Sequence, residues 1–307
     1  MTFPPDIFLI GAQKAGTTSL AELLDQHPGI SVSEPKEPAW FTRNRDRGED
    51  WYRACFDHPE QHLCIDATPG YTLGPTPRFP ESGSDSAFSG VAARIAAANP
   101  DARFIYIVRE PVARTYSSYW HHVRNGDERA PLRDAIVNTP LYLRGSDYAG
   151  QLHNYFEHFP RERFHIIAFN DLLRAPLEVA EGCCAFLGLD VSGLEFTPLD
   201  RARNTSYSYS RAGRVLRGVL DMSGPLQGLA RGTLRRLPDG LLNLARRTFT
   251  NDIPPLGRAD RVWLSELLHE AEQEFLQLAG WQAAPWAAGN DASPRSAAGP
   301  TPERHGA

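Results

Sequence analysis

Cysteine is scarce in this chain of 307 residues: Cys55, Cys64 and the vicinal pair Cys183 and Cys184 are the only four. They form no C-x-x-C motif and are too sparse for a disulfide-stapled domain, which points to a reducing compartment. A surplus of basic charge is also missing. Lys and Arg total 32 against 37 Asp and Glu, a formal net charge of −5. Neutralising many phosphates needs the opposite balance, so no nucleic-acid partner is expected. Long hydrophobic runs are absent too. No stretch approaches the ~20 apolar residues that cross a bilayer, and Met1-Thr2-Phe3-Pro4-Pro5-Asp6 leads straight into a short apolar run without a basic leader. These absences predict a cytoplasmic protein with no transmembrane segment. There is no internal repeat.

With 41% apolar residues, the length suits one large α/β domain or two small ones. Ile7-Phe8-Leu9-Ile10 is a continuous apolar run of the kind found in parallel strands buried on both faces. Gly11 breaks it, Thr17 or Thr18 is placed to cap a helix over Ser19–Gln26, and His27-Pro28-Gly29 ends that helix. A second unit repeats the grammar: an alanine-rich helix at Val91–Ala98, a turn at Asn99-Pro100-Asp101, and a strand over Phe104–Val108 ended by Arg109-Glu110-Pro111. A third strand, Phe164–Phe169, precedes a helix over Leu177–Phe186 that stops at Gly188.

Strands alternating with helices predict an α/β, three-layer fold with a central, mainly parallel sheet flanked by helices, as a single domain over residues 1–285. Leu73–Gly90, crowded with Pro, Gly and Ser, reads as a long surface loop. Residues 211–250 form a locally basic segment in which arginines interleave with Leu and Val. They read as amphipathic helices with solvated arginine faces, the alternative being a surface for an anionic acceptor or peripheral membrane contact through 211–247. A last helix spans about Asp260–Leu278, and residues 286–307 have the composition of a disordered tail.

The chemistry concentrates in Gly11-Ala12-Gln13-Lys14-Ala15-Gly16-Thr17-Thr18-Ser19. Two glycines let the backbone turn its N–H groups inward, and the following helix aims its positive end at the same place, which makes an anion cradle. The glycine spacing equals that of the triphosphate loop G-x-x-x-x-G-K-[ST], hence a P-loop-like fold. However, Thr17 follows the second glycine and the lysine sits inside the loop as Lys14. A kinase needs that lysine beyond the glycine, together with a magnesium site, to handle β- and γ-phosphates. A sulfuryl group carries less charge, so one lysine and a ring of amides suffice without a metal.

Gln13-Lys14-Ala15-Gly16-Thr17-Thr18-Ser19-Leu20 resembles the 5′-phosphosulfate loop of sulfotransferases that use 3′-phosphoadenosine 5′-phosphosulfate (PAPS), most closely the heparan sulfate N- and 3-O-sulfotransferase branch. Ile107–Tyr119 resembles the 3′-phosphate signature of the same family, with Arg109 and Ser117 matching its phosphate ligands. An arginine fork grips a phosphate dianion bidentately, and a serine hydroxyl one or two helical turns further on adds another bond. The resemblance thus implies that Lys14, Ala15, Gly16, Thr17, Thr18, Ser19, Arg109 and Ser117 bind the donor nucleotide. Arg114 either joins them or covers helix surface.

An acceptor hydroxyl or amine must lose a proton as it attacks sulfur. Lys36-Glu37-Pro38-Ala39-Trp40-Phe41 is similar to the family stretch whose glutamate is the general base, which assigns that role to Glu37; Trp40 and Phe41 are packing residues. The histidines, among them His27, His121 and His122, stand in no matching motif. Cys64–Tyr71 is similar to the segment lining the acceptor side of the cleft, where the glycosaminoglycan branch usually carries a lysine in place of Ala67; that loss counts against heparan sulfate itself as substrate. Asp66 orients the acceptor or Lys14, or serves only as a strand end. Ser146–Leu152 and Phe169–Leu172 resemble scaffold beneath the phosphate site, and Arg203 and Asn204 fall where the family places a loop over the nucleotide.

The resemblance implies direct, in-line sulfuryl transfer from PAPS to a hydroxyl or amine of a glycan, glycolipid or small molecule, with Glu37 as base and Lys14 assisting the leaving group. Two rivals share part of the pattern: a P-loop small-molecule kinase and a nucleotide-binding protein without catalysis.

Overall fold

The computed structural model describes residues 5–81, 85–192, 196–197, 207–209 and 250–287. The basic segment 211–247, Arg203, Asn204 and residues 288–307 lie outside the described residues, and the expectations placed on them with them.

Five strands form the central sheet: β1 (Ile7–Gly11), β2 (Ile30–Val32), β3 (Leu63–Asp66), β4 (Arg103–Val108) and β5 (Phe164–Ala168). Their order is β2-β3-β1-β4-β5 and every pairing is parallel. The helices are α1 (Thr17–Leu24), α2 (Glu49–Arg53), α3 (Val91–Ala98), α4 (Pro111–Asn125), α5 (Leu132–Asn138), α6 (Leu141–Arg144), α7 (Tyr148–Phe156), α8 (Phe169–Arg174), α9 (Pro176–Leu187) and α10 (Arg258–Ala279). A separate antiparallel pair joins β6 (Tyr207–Tyr209) to β7 (Thr250–Asp252). The P-loop-like α/β class expected from the alternation is therefore the class observed.

Side chains alternate across each strand, and here both faces are apolar. Ile7 and Leu9 of β1, with Ile105 and Ile107 of β4, pack against Leu20, Leu23 and Leu24 of α1 and Cys183 and Leu187 of α9. Phe8 and Ile10, with Phe104 and Tyr106, face an aromatic layer that includes Phe41, Tyr52, Tyr71, Tyr148 and Tyr155. Phe104 stacks on Phe164 with ring centroids 4.7 Å apart and meets Phe159 edge-on at 4.6 Å. Burying each such side chain contributes about 1.5–3 kcal/mol, and the continuous double-sided burial explains why β1 and β4 read clearly as parallel strands.

β1 lies at the point where the chain changes sides: β3 joins one edge of it and β4 the other. In open parallel sheets, ligands bind outside the carboxyl ends of the strands at such a switch point. The Gly11 loop and Arg109 both leave the sheet there. Leu73–Gly90 is less exposed than its composition implied. Leu73, Thr76 and Phe88 are buried, because the segment runs under α7, where Gln151 donates to the Gly74 carbonyl at 2.8 Å.

Candidate active site

Beyond Gly11 the chain curls back on itself. The Ala12 amide donates to the Ile107 carbonyl of β4 at 2.5 Å, and the Ala15 amide to the Ala12 carbonyl at 3.0 Å. α1 then begins at Thr17, two residues earlier than the sequence suggested, and neither Thr17 nor Thr18 caps it. Gly16 takes the cap position instead, at φ 92°, a left-handed backbone that glycine adopts without steric cost. The first-turn amides of Thr17, Thr18 and Ser19 consequently have no carbonyl ahead of them within the helix and mark its positive end. Such a helix start is the backbone geometry that an anion cradle requires.

Lys14 sits in this cradle with a left-handed φ of 72°. Burial, then the charges of Arg124 and Arg109, lower its pKa from 10.5 to about 8, while Glu37 pulls the other way. Arg109, at the end of β4, donates from its guanidinium to the Lys14 carbonyl at 3.3 Å and lies over the Phe169 ring, 5.1 Å from the centroid. The two motifs, nearly a hundred residues apart, are one site.

Arg109 is followed by a well-made helix start: Pro111 occupies the first turn of α4, and Glu110 caps it by accepting from the Ala113 amide at 2.7 Å. Ser118 on α4 donates to Gln13 of the loop at 3.3 Å. Its neighbour Ser117 is buried, and its hydroxyl has no hydrogen-bond partner among the described residues. Buried hydroxyls are nearly always satisfied, so an orphan beside an arginine-bearing anion site fits a phosphate ligand. Arg114 is not helix surface. It is fully buried, and it donates to Ser146 Oγ at 2.6 Å and to the Tyr142 carbonyl. Tyr148 donates its hydroxyl to the Arg109 carbonyl at 2.8 Å, so Ser146–Leu152 braces α4 and Arg109 from beneath.

Glu37 lies on the loop after β2. Its carboxylate pairs with Lys36 Nζ at 2.9 Å and is half exposed, and its backbone is left-handed, as is that of Ala39. Its charge acts at both Lys14 and Asp66. Asp66, at the end of β3, is fully buried and accepts from Tyr52 at 2.5 Å, Thr68 at 2.5 Å and Tyr71 at 2.7 Å. Burial raises its pKa from 3.8 to about 6 against the pull of those hydroxyls. Cys64–Tyr71 therefore lies under the site rather than lining it. Ala67 in particular is fully buried among Ile65, Leu24 and Ala21, so the side chain at this position does not face the cleft. Trp40 stacks on Tyr52 at 4.7 Å and Phe41 is buried, both as packing residues.

The histidines have other duties. His27 accepts from the Gly29 amide at 2.9 Å and is buried, His122 bonds the Ser118 carbonyl at 2.9 Å, and His121 meets Arg124 at 2.8 Å. Three residues not singled out from the sequence, Arg124, Arg261 and Trp286, belong to the site's surroundings together with Phe169. Arg124, whose charge reaches Lys14, falls seven residues after Ser117, hence on one helix face; that spacing was readable. Phe169, Arg261 and Trp286 join Arg109, Glu110 and Ala113 around a cleft of about 420 Å³. Phe169 falls in the segment read as scaffold beneath the phosphate site, whereas no local signal in the sequence marks Arg261 or Trp286.

An anion loop after β1, an arginine–serine pair after β4 and a parallel sheet switching sides between them define a P-loop-like α/β protein. The chain belongs to the sulfotransferase family, whose model matches residues 5–193. It is 30% identical over 202 residues to the mouse and human heparan sulfate glucosamine 3-O-sulfotransferase 5, an alignment covering 60% of this chain and 54% of each relative. It is also 30% identical over 205 residues to the Drosophila melanogaster bifunctional heparan sulfate N-deacetylase/N-sulfotransferase, covering 60% of this chain and 19% of that protein. The chain thus spans about half the length of the first of these relatives and far less of the other. Among solved structures, a sulfotransferase from Alicyclobacillus acidocaldarius superposes with a TM-score of 0.49 at 28% identity, covering 64% of this chain and 87% of that one.

Proposed function

We propose that this chain transfers the sulfuryl group of PAPS to a hydroxyl or amine of a glycan, glycolipid or small-molecule acceptor. The observation that carries the reading is the Arg109–Lys14 contact. It joins a loop suited to a 5′-phosphosulfate to a side chain suited to a 3′-phosphate, and the following helix α4 carries the buried Ser117 hydroxyl, unpartnered among the described residues. Few nucleotides present anions at both ends of one ribose. In the reaction the acceptor oxygen or nitrogen bonds to sulfur as the sulfur–oxygen bond to the 5′-phosphate breaks. The acceptor's proton passes to Glu37, and 3′-phosphoadenosine 5′-phosphate (PAP) departs. Lys14 and the loop amides offset the charge that grows on the departing phosphate oxygen.

The named relatives support a glycan acceptor, and the half-exposed Glu37 fits a group approaching from solvent. The four cysteines are all free and buried, which supports a reducing, cytoplasmic setting. The test is twofold. Calorimetry should give tight binding of PAP and weak binding of ATP with Mg²⁺, and labelled PAPS should sulfate an acceptor within a panel of glycans and cell extracts. Tight PAP binding without transfer to any acceptor would leave a nucleotide-binding protein. Transfer undiminished in Glu37→Gln would remove Glu37 as base.

A further inference from the structure

We infer that Asp66 is a positioning residue, the buried anchor that holds the loop bearing Glu37 in its working shape; this rests on the reading of Glu37 as the base. The loop carries two left-handed non-glycine residues within three positions, Glu37 at φ 62° and Ala39 at φ 52°. Such a backbone is uphill by about 1–2 kcal/mol per residue and persists only where its surroundings fix it. The fixing contacts are on the page. The Ala39 amide donates to Thr68 Oγ1 at 3.1 Å, and the Phe41 amide donates to the Tyr71 hydroxyl at 3.2 Å. Each hydroxyl, having accepted, must spend its own proton elsewhere, and both donate to Asp66, Thr68 to Oδ1 and Tyr71 to Oδ2.

The carboxylate thus sets the direction of both relays. With two oxygens that accept and neither that donates, it makes Thr68 and Tyr71 present lone pairs to the loop's amides. Tyr52 supplies a third hydroxyl to Oδ2 and stacks under Trp40, the residue between the two anchored amides. A neutral amide at position 66 breaks this logic, because its NH₂ competes for one of the hydroxyls' lone pairs. A carboxylate is costly to bury. Its retention under a loop with the catalytic candidate is accounted for by what it holds rather than by stability.

The experiment follows sulfuryl release from PAPS to water under single turnover, with enzyme in excess, alongside PAP calorimetry. Thr68→Val is isosteric and cuts one relay, leaving the carboxylate in place with one donor fewer; Tyr71→Phe cuts the other, and Thr68→Ser keeps the first. The expected result is a rate lowered about 10- to 100-fold in Thr68→Val and in Tyr71→Phe, the scale of a misplaced catalytic group. PAP affinity should stay within about twofold of wild type, and Thr68→Ser should recover most of the rate. Wild-type rates in both variants overturn the proposal, as does a loss matched by an equal loss of PAP affinity. Glu37→Gln run in parallel separates the two layers. If it is slow while Thr68→Val and Tyr71→Phe are normal, only the anchoring role fails. If Glu37→Gln is itself normal, the base assignment fails and the anchoring role falls with it.

Discussion

The Arg109 guanidinium donates to the main-chain carbonyl of Lys14 at 3.3 Å, so the side chain suited to the nucleotide's 3′ end also braces the loop suited to its 5′ end. Arg109→Ala is therefore expected to lose more than one phosphate contact. PAP affinity should fall about 10- to 150-fold, the worth of a charge-assisted hydrogen bond. Binding of adenosine 5′-phosphosulfate, which lacks the 3′-phosphate, should also weaken. Arg109→Lys keeps the charge but not the fork, and should fall between. Calorimetry with both nucleotides checks this; an unchanged affinity for adenosine 5′-phosphosulfate would mean that the brace is dispensable.

Lys14 titrates within reach of ordinary assays. Its pKa is lowered from 10.5 to about 8, chiefly by burial and secondly by Arg124 and Arg109. The ammonium that meets the donor's charge is therefore lost as pH rises through about 8. PAP affinity measured by calorimetry should decline across that range, and the decline should vanish in Lys14→Met. The sign for stability is opposite. Between about 8 and 10.5 the unfolded chain binds more protons than the folded one, so stability rises with pH there. Lys14→Met should raise the melting temperature of the unliganded protein at pH 7 while abolishing transfer, a trade of stability for function.

What the sequence disclosed divides along physical lines. β1 and β4 were legible because both their faces are buried and the apolar runs are unbroken, and β5 because apolar residues surround its one histidine, His165. β2 and β3 were not: they are three and four residues long, and β3 ends in the charged Asp66, which three hydroxyl donors, Tyr52, Thr68 and Tyr71, make tolerable. The anion loop and Arg109 could be read because each site is written in consecutive residues at the end of a strand. Asp66 as an anchor of the Glu37 loop and Arg114 as a buried strut depend on contacts about thirty residues apart, and local pattern does not contain them; Phe169, by contrast, lies in the segment read as scaffold beneath the phosphate site. The helix start was misplaced at Ser19 for a related reason: threonine is a common cap, and only the φ of Gly16 reveals that no side-chain cap is used.

Two neighbours on α4 should respond to truncation in opposite ways. Ser117 carries a buried hydroxyl with no partner among the described residues, so Ser117→Ala removes an unsatisfied group and should leave stability unchanged or raise it by up to about 1 kcal/mol. PAP affinity should nonetheless fall. Arg114 is fully buried and holds Ser146 and Tyr142, so Arg114→Ala opens a cavity and strands acceptors. The expected cost is on the order of 3–5 kcal/mol. Thermal melts with and without PAP distinguish the two: ligand-induced stabilisation is reduced in Ser117→Ala, whereas the baseline itself collapses in Arg114→Ala.

Gly16 has little room for change. Its φ of 92° is strained for any residue with a Cβ, and a Cβ built there would stand 2.8 Å from the ring of Phe169. The ring cannot simply withdraw, because its other contact is the Arg109 guanidinium. Gly16→Ala should therefore act at a distance, pushing Phe169 against Arg109 and disturbing the 3′-phosphate site although the substitution lies in the 5′ loop. Backbone strain alone is worth about 1–2 kcal/mol. The further prediction is a non-additive pair: in Phe169→Leu the smaller side chain yields, so Gly16→Ala should cost less PAP affinity in that background than in wild type. A double-mutant cycle measured by calorimetry decides it. Strict additivity would show that the Gly16 substitution acts only through its own backbone and not through the aromatic ring that couples the two halves of the site.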